Sequence, residues 1–352
     1  MSVRDTSTSG IDERILLKHG SGGRAMRRLI EEVFVGAFQT DPPMPAGVLG
    51  LSELDDGAAV RIGDQWLILT TDSHVVKPPF FPGGDIGRLA VAGTVNDLTM
   101  MGATYVIGLT CALVIEDGFP RRDLERIVKS MGDTANEAGA PVLTGDTKVM
   151  GKGEIDGIVI NTSGVGLTRH LYPAGGLKPG NRIIVTGTIG DHGMAVMASR
   201  HGLGLDVELR SDVAPLNGLI RAALRPNPSA VTAMKDPTRG GLATSLHEMA
   251  AKSSVGIIID EAALPIRQEV KGVSEIVGID PLLVANEGKA VMGVNADDAF
   301  AVLEILRSHP LGRDAAIIGS VTDDRPGTVI VETGFGRRLL AEPEGELLPR
   351  IC

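Results

Sequence analysis

Two halves with the same alternation of strand-like and helix-like segments make up most of this chain of 352 residues. Runs of apolar and β-branched residues indicate strands, and apolar residues recurring every three or four positions indicate helices. Because strands and helices interleave in both halves, we predict an α/β (or α+β) fold with two mixed α/β domains. In the first half the pattern predicts strands at 58–62, 66–71, 105–115, 142–143 and 155–165, and helices at 86–101 and 121–138.

A segment rich in proline and glycine, 172–180, separates the halves and predicts the domain boundary. We predict a disordered polar N-terminus over 1–14 and a mobile tail over 343–352. The two domains between them span 15–171 and 172–342. In the second domain the pattern predicts strands at 182–186, 256–260, 289–294, 316–321 and 329–333, and helices at 193–200, 241–251 and 296–307.

Charge and composition exclude several classes of protein. The formal net charge is −10 and no basic stripe is present, so we expect no nucleic-acid partner. The N-terminus has no apolar signal region, and the longest apolar run, 105–115, is too short to cross a bilayer, so we expect no membrane association. Two cysteines make no disulfide framework, which fits a cytoplasmic protein.

The chain ends on a cysteine, Cys352, and the other cysteine, Cys111, lies in an apolar run. Chain termini are usually mobile, so a thiol on the last residue can reach into a site and carry a reactive group. It is not a prenylation signal, because that signal places the cysteine four residues from the end. A chemically idle terminal residue is the alternative reading, and the terminus alone leaves both open.

A glycine-rich segment at 20–24 precedes a helical pattern. Glycines allow backbone N–H groups to crowd toward phosphate oxygens, and a helix start favours an anion. The segment lacks the spacing of a Walker A loop, and a flexible connector is the alternative. In the second half, residues 236–242 also place Pro and Gly-Gly before a helix, either as an anion-binding helix start or as an ordinary capped entrance.

Aspartates recur in four short motifs of the first half, around Asp56, Asp72, Asp97 and Asp146. Mg²⁺ takes oxygen ligands and often bridges a carboxylate to nucleotide phosphates. Asp and Gly also dominate ordinary turns, so each motif alone is equally a turn signal. The recurrence within one half is what favours a shared metal–nucleotide site.

Together these motifs resemble the HypE family of hydrogenase maturation factors, in the superfamily of aminoimidazole ribonucleotide synthetase and selenophosphate synthetase. The resemblance covers about residues 15–352, and the terminal Pro-Arg-Ile-Cys is its most specific part. The matching segments are 19–24, 55–59, 71–74, 94–98, 145–149, 236–241, 286–289 and 349–352.

The resemblance implies an ATP-dependent carbamoyl dehydratase with ATP and Mg²⁺ as cofactors. In such a protein the carbamoyltransferase HypF loads the terminal cysteine with a carbamoyl group, which ATP-dependent dehydration converts to a thiocyanate. The cyanide then passes to iron held by a HypC–HypD complex, toward the nickel–iron hydrogenase centre. The resemblance also implies an aminoimidazole ribonucleotide synthetase-like fold and a homodimer joined through the N-terminal sheets, for which the strand pair around Trp66 is our candidate contact.

Carried over residue by residue, the resemblance assigns roles in this sequence. Cys352 is the carrier, Lys148 steadies charge on the transferring phosphoryl or carbamoyl oxygen, and Glu287 accepts a proton. The expected metal ligands are Asp56, Asp72, Asp97 and Asp146. The expected cofactor-binding residues are Gly20, Ser21, Gly22, Gly23, Asp55, Asp56, Asp72, Asn96, Asp97, Thr144, Gly145 and Asp146.

Two alternatives stay open. One is a different ATP-dependent small-molecule kinase or ligase of the same superfamily. A selenophosphate synthetase would carry cysteine or selenocysteine near the glycine-rich loop, whereas this chain has no cysteine before Cys111. The other is a non-enzymatic nucleotide-binding scaffold whose tail docks into a partner. ATP turnover separates the scaffold from both enzymes.

Overall fold

A computed structural model describes residues 14–38, 47–202, 209–345 and 350–352. Apart from Arg14, the segment predicted to be disordered lies outside these residues. Two large sheets with packed helices, beside a third sheet of only two strands, confirm the predicted mixed α/β class. The α-helices of the described chain are α1 (Gly23–Leu29), α2 (Ile86–Met100), α3 (Arg121–Ala138), α4 (Asp191–Arg200), α5 (Asn217–Leu224), α6 (Gly241–Ser253), α7 (Gln268–Val277) and α8 (Ala299–Ser308).

The predicted linker separates the strands of the two large sheets along the chain. The last strand before it is β8, and the first strand after it is β9. The strands are β1 (Val48–Leu49), β2 (Ala58–Ile62), β3 (Gln65–His74), β4 (Phe80–Phe81), β5 (Gly84–Asp85), β6 (Tyr105–Glu116), β7 (Val142–Met150), β8 (Ile158–Thr168), β9 (Arg182–Val185), β10 (Val231–Lys235), β11 (Gly256–Asp260), β12 (Val291–Val294), β13 (Ala316–Thr322), β14 (Val329–Thr333) and β15 (Gly336–Leu339).

The first sheet has the strand order β1-β2-β3-β8-β6-β7. Strands β6 and β7 run parallel, and the other neighbours run antiparallel. Helix α2, with α3 packed against it, covers the inner face. Alternate residues of a strand point to the same side, so Ile68, Leu109 and Ile160 are fully buried on that face.

The outer face of the first sheet carries exposed apolar side chains. Tyr105 and Leu167 face each other across β6 and β8, so both point outward. On the edge strand, Leu143 lies over Gly108, where an added Cβ would come within 2.3 Å of the leucine. Four such side chains, between 36% and 70% exposed, form what we call the outer apolar patch: Leu69, Tyr105, Leu143 and Leu167.

The second sheet has the order β10-β12-β9-β13-β11-β14-β15, with helices on both faces. Strand β9 shows why both faces are covered, because its central residues are all apolar. Ile183 and Val185 pack with α6 on one side, whereas Ile184 packs with α5 and α8 on the other. No helix in the described ranges combines the length and apolar character needed to cross a membrane.

Both domains share one apolar cluster, which contains residues of α2 and α3 together with residues of α4 and α7. Asn96 on α2 strengthens this junction. Its amide donates to the carbonyls of Ala214 and Glu287 at 3.1 and 3.2 Å and accepts from the N–H of Leu216 at 2.8 Å. The two domains are therefore joined by buried polar bonds as well as by apolar packing.

The structure corrects the predicted elements in several places. Strand β7 spans nine residues, whereas only 142–143 were predicted as strand, because pairing with β6 overrides the turn propensity of Gly145 and Asp146. Helices α5 and α7 and strands β10 and β15 were not predicted. Each of them is short, and tertiary packing rather than local periodicity fixes such elements.

Candidate active site

A cavity of about 1060 Å³ lies between the two domains, and we call it the central cavity. The first domain contributes the glycine loop before α1, the loop before β2, the inner face of β3 and one side of α2. The second domain contributes the end of β10, the start of α6 and the loop before β12. Its volume matches that of ordinary ligand pockets. The predicted site residues that line it are Gly22, Gly23, Asp55, Asp56, Asp72, Asp97, Glu287 and Cys352.

The glycine loop needs its glycines for shape. Gly22 and Gly23 have φ angles of +80° and +73°, in the left-handed region that side chains disfavour. A Cβ on Gly23 would lie 2.5 Å from the carbonyl oxygen of Pro343, and one on Gly22 would lie 2.9 Å from the Cβ of Arg239. The loop is therefore pressed against the second domain at the cavity wall.

Two lysines of the second domain hold the loop before β2. Asp56 accepts from the Nζ of Lys235 at 2.5 Å, and Asp55 accepts from the Nζ of Lys252 at 2.7 Å. Lys235 also lies 3.2 Å from Glu248 on α6. These ion pairs join the two domains, so they fix the position of both carboxylates in the cavity wall.

Two further carboxylates of the cavity come from β3 and α2. Asp72 lies 3.2 Å from the Nε2 of His74 and 3.4 Å from a guanidinium nitrogen of Arg239. Asp97 accepts from the hydroxyl of Thr70 at 2.9 Å. Asp72 lies within a strand and Asp97 within a helix, so the alternative that these motifs are simple turns is wrong for both.

The carboxyl groups of the cavity repel one another. Burial raises the pKa of Asp97 well above its usual range, and Asp236 and Asp72 raise it further. Burial and neighbouring carboxylates also raise the pKa of Asp236 to about 8. Burial would raise the pKa of Asp72 too, but His74 and Arg239 outweigh it and lower that pKa. The cavity thus holds more acidic groups than its cations neutralise, a condition that a divalent cation relieves.

Glu287 and Cys352 line the cavity from its inner end. Glu287 is 3% exposed, and its Oε1 has no hydrogen-bond partner among the described residues. Burial raises the pKa of Glu287 well above its usual range, and Asp236 raises it further. Buried polar atoms are nearly always paired, so an unpaired carboxylate oxygen facing a cavity indicates a ligand or proton to be handled there.

Four predicted residues lie elsewhere in the chain. Thr144, Gly145, Asp146 and Lys148 are exposed on the edge strand β7. Asp146 is paired with Ala112 of β6, which turns the aspartate toward the outer face, while Asp72 points to the inner face. Lys148 lies 3.0 Å from Asp146. Within one chain, the structure therefore does not bring these residues to the central cavity.

Three further predicted residues have mainly structural contacts. Asn96 is committed to the domain junction described above. The hydroxyl of Ser21 donates to the carbonyl of Leu17, and the carbonyl of Gly20 accepts from Arg239 at 3.5 Å. The contacts of Ser21 and Gly20 stabilise the glycine loop.

Sequence reasoning missed several charged residues of the cavity. Asp236 and Arg239 belong to a motif that was noted as a helix start and as part of the family resemblance but was assigned no site role, and their charges were a usable signal. Lys235 is the last residue of a strand that was not predicted, and Glu248 lies in the middle of α6. No local sequence pattern marks either residue as part of a site. The lining residues not assigned beforehand include Lys235, Asp236, Arg239, Glu248 and Lys252.

Comparison with known proteins identifies the family and the fold of the chain. Two family models cover most of the chain: AIR synthase related protein, N-terminal domain, over 54–168, and AIR synthase related protein, C-terminal domain, over 178–332. Carbamoyl dehydratase HypE of Cupriavidus necator is 46% identical over 343 residues, which cover 96% of this chain and 95% of the relative.

Solved HypE structures share the whole fold. HypE from a HypE–HypF complex has a TM-score of 0.82 and 47% identity, covering 90% of this chain and 99% of that one. HypE in complex with ATP has a TM-score of 0.78 and 41% identity, covering 96% of this chain and 100% of that one. The predicted resemblance is therefore confirmed, and this chain belongs to the HypE family of carbamoyl dehydratases, enzymes of hydrogenase maturation built on the AIR synthase-related fold.

Proposed function

We propose that this protein uses ATP to dehydrate an S-carbamoyl group on Cys352 to a thiocyanate, the source of cyanide for the iron of a nickel–iron hydrogenase. One observation carries the proposal: a single cavity is lined by Cys352, by Glu287 with its unpaired oxygen, and by the predicted metal-binding aspartates of the first domain. The related HypE bound to ATP and the relative called carbamoyl dehydratase support it.

The chemistry needs ATP because an amide oxygen is a poor leaving group. The carbamoyl oxygen attacks the γ-phosphorus and ADP leaves, while one N–H proton is lost. The C–O bond then breaks, inorganic phosphate departs and the second N–H proton is removed, which leaves C≡N on sulfur. Phosphoryl transfer depends on positioning and charge neutralisation, and both suit a cavity lined by fixed charges.

The roles follow from position. Cys352 carries the reacting carbon, and Glu287 takes an N–H proton through its unpaired oxygen. Gly22 and Gly23 bring backbone N–H groups to the cavity wall where phosphates would lie. Arg239 adds a cation at the same wall.

Mg²⁺ fits the first three predicted ligands. Asp56, Asp72 and Asp97 line one cavity and their mutual repulsion would be relieved by a cation. No three acidic, histidine or cysteine side chains among the described residues are grouped closely enough to hold an ion alone. This agrees with Mg²⁺ held by one or two carboxylates and shared with phosphates. When bound, the ion would neutralise charge on the transferring phosphoryl group.

A homodimer would supply the residues that are missing from the cavity. The outer apolar patch leaves four large side chains exposed on the same sheet face as Asp146 and Lys148 of β7. Exposed apolar patches of this kind mark interaction surfaces. We infer that two first sheets pack through this face and that each offers Asp146 and Lys148 to the cavity of the other. The strand pair around Trp66 contributes Leu69 to the face, while Trp66 packs on the inner side with Ile68.

Partners and compartment follow from the same chemistry. HypF is the proposed donor of the carbamoyl group, supported by the related HypE–HypF complex. A HypC–HypD complex is the proposed acceptor of the cyanide. Cys111 and Cys352 form no disulfide, which supports action in the reducing cytoplasm.

The test is intact mass spectrometry of the purified protein incubated with HypF, carbamoyl phosphate and ATP. We expect Cys352 to gain a carbamoyl group and then to lose the mass of one water only when ATP and Mg²⁺ are present. Cys352→Ser should gain nothing, and Cys111→Ser should behave as the parent does.

Other results would favour the alternatives. ATP consumption with no mass change on Cys352 would favour a small-molecule kinase or ligase. An absence of both ATP consumption and mass change, with HypF binding retained in Cys352→Ser, would favour a nucleotide-binding scaffold.

A further inference from the structure

The last three residues of the chain lie beside the segment that follows β3 and form main-chain hydrogen bonds with it. The N–H of Val75 donates to the main-chain oxygen of Cys352 and the N–H of Lys77 donates to the carbonyl of Arg350, both at 3.2 Å. The two bonds pair the segments in antiparallel register, as in peptide recognition by strand addition. Main-chain bonds of this kind fix the direction and register of the terminus against the segment that follows β3.

Side chains at the terminus are also recognised. Ile351 is 1% exposed and belongs to the apolar cluster that includes Phe81 and Met194. Arg350 forms an ion pair with Asp156, and its Nε donates to the carbonyl of Val75 at 3.2 Å. We call the groups that contact the last three residues the seat of the terminus. It combines an apolar contact for Ile351 with an acidic contact for Arg350.

His192 contacts the terminus through the backbone. Its Nε2 lies 2.7 Å from the carbonyl oxygen of Ile351, so this nitrogen must carry the proton and donate. Its Nδ1 lies 2.8 Å from the hydroxyl of Ser211, whose oxygen accepts from the N–H of Val213 at 3.1 Å. Ser211 can therefore donate to Nδ1 and hold the neutral imidazole in the tautomer that binds Ile351.

The surroundings keep this histidine in place. His192 is fully buried in the first turn of α4, and the ring of Phe81 meets it edge-on with centroids 5.3 Å apart. None of these atoms is needed for the ATP chemistry described above. A buried, oriented histidine whose free nitrogen bonds the penultimate carbonyl acts on the terminus alone.

We propose that His192, oriented by Ser211, is a positioning residue that anchors the carbonyl of Ile351 and thereby sets how deeply Cys352 enters the central cavity. This inference rests on the proposed function, because Cys352 is the carrier in that chemistry. The seat as a whole reads the Arg-Ile-Cys end: the chain direction through Val75, the isoleucine through the apolar cluster and the arginine through Asp156.

The test measures protection of the Cys352 thiol. In a Cys111→Ser background Cys352 is the sole thiol, and its reaction with Ellman's reagent is followed with and without ATP and Mg²⁺. The free peptide of residues 347–352 serves as the unprotected reference. We expect the parent to react more slowly than the peptide, and His192→Leu to react about 3- to 10-fold faster than the parent, the effect of one hydrogen bond.

Two more variants separate positioning from folding. His192→Gln retains a donor at the ε position and should keep most of the protection. Ser211→Ala should accelerate the reaction in the same direction as His192→Leu, because the tautomer is no longer held. Thermal unfolding and ATP binding should stay close to the parent in both. If His192→Leu fails to fold, the Ser211→Ala result decides.

The proposal is overturned if the parent thiol reacts as fast as the free peptide. It is also overturned if folded His192→Leu and Ser211→Ala keep the parent rate. Thiol protection requires no carbamoyl chemistry, so it distinguishes the two claims. If protection of the thiol depends on His192 but no dehydration occurs, only the proposed function is wrong. If dehydration occurs without such protection, only the positioning role is wrong.

Discussion

At the scale of single residues, the burial of Glu287 supports the proton-acceptor role proposed for it. Its carboxyl has one oxygen without a partner among the described residues, and burial with Asp236, Asp72 and Asp212 raises its pKa well above the usual range. A carboxyl with a raised pKa is a stronger base once ionised. Binding of Mg²⁺ would offset the neighbouring negative charges and favour that ionised form.

We predict that Glu287→Gln lowers the rate of dehydration about 100-fold or more, since a positioned general base typically contributes that much. The amide has the shape of the protonated acid, so the melting temperature should change little. Glu275→Gln, on the exposed side of α7, is the matched control and should keep the parent rate. Single-turnover mass spectrometry of carbamoylated protein gives the rate, and a Glu287→Gln rate within threefold of the parent would remove the assigned role.

At the scale of elements, Tyr172 begins the linker and packs in an apolar cluster that also contains Met100 of α2 in the first domain. It is 4% exposed, and its hydroxyl donates to the carbonyl of Pro228 at 3.1 Å. Burial raises its pKa to about 12. Between the ordinary tyrosine value of about 10 and this value, the folded protein holds a proton that the unfolded chain has lost. The free energy of unfolding therefore falls as the pH rises through that window.

Absorbance at 295 nm reports the ionisation of tyrosine and so tests this prediction. The chain has only two tyrosines, so one substitution isolates Tyr172. In the Tyr105→Phe variant, Tyr172 is the sole tyrosine, and we expect its ionisation near pH 12 in the folded protein and near 10 in denaturant. Tyr172→Phe should lose the late step. A folded Tyr105→Phe protein that titrates near pH 10 would show that the hydroxyl is not held by the fold.

The edge strand β7 and the outer apolar patch lead to a second prediction at this scale. Leu143→Glu would bury a charge in the inferred dimer face, at a cost of several kcal/mol. We expect this variant to be monomeric at micromolar concentration in size-exclusion chromatography with light scattering. Ile276→Glu is the control, since Ile276 is 63% exposed and Leu143 65%, but it lies on α7. A Leu143→Glu protein that remains dimeric would place the contact elsewhere.

At the scale of the whole molecule, the inferred dimer makes each site from two chains. Lys148→Ala and Glu287→Gln should each be inactive alone. Co-expressed in equal amounts, half of the dimers are mixed and each mixed dimer has one intact site of two, so about a quarter of the parent activity should return. If Lys148 served the cavity of its own chain, the mixture would remain inactive. Dehydration by the purified mixture is the measurement.

Much of the fold could be predicted from local pattern. Helical spacing of apolar residues predicted α3, and a largely apolar run with β-branched residues predicted strand β6. Strand β7 was mostly missed because Gly145, Asp146 and Lys148 resemble a turn until they pair with β6. The cavity residues Lys235 and Glu248 have no motif of their own, and only the approach of the two domains gives them a role.

The sequence by itself determined the family, the two-domain α/β class and the chemical groups, because motif identity and apolar periodicity are local properties of the chain. Tertiary structure alone decided which groups meet. It placed Glu287 and Cys352 in one cavity with Asp72, and it turned Asp146 to the opposite face of the sheet. The physical reason is that strand pairing and domain packing fix the direction of a side chain. Both depend on residues that are distant in the sequence, so the neighbouring residues do not determine them.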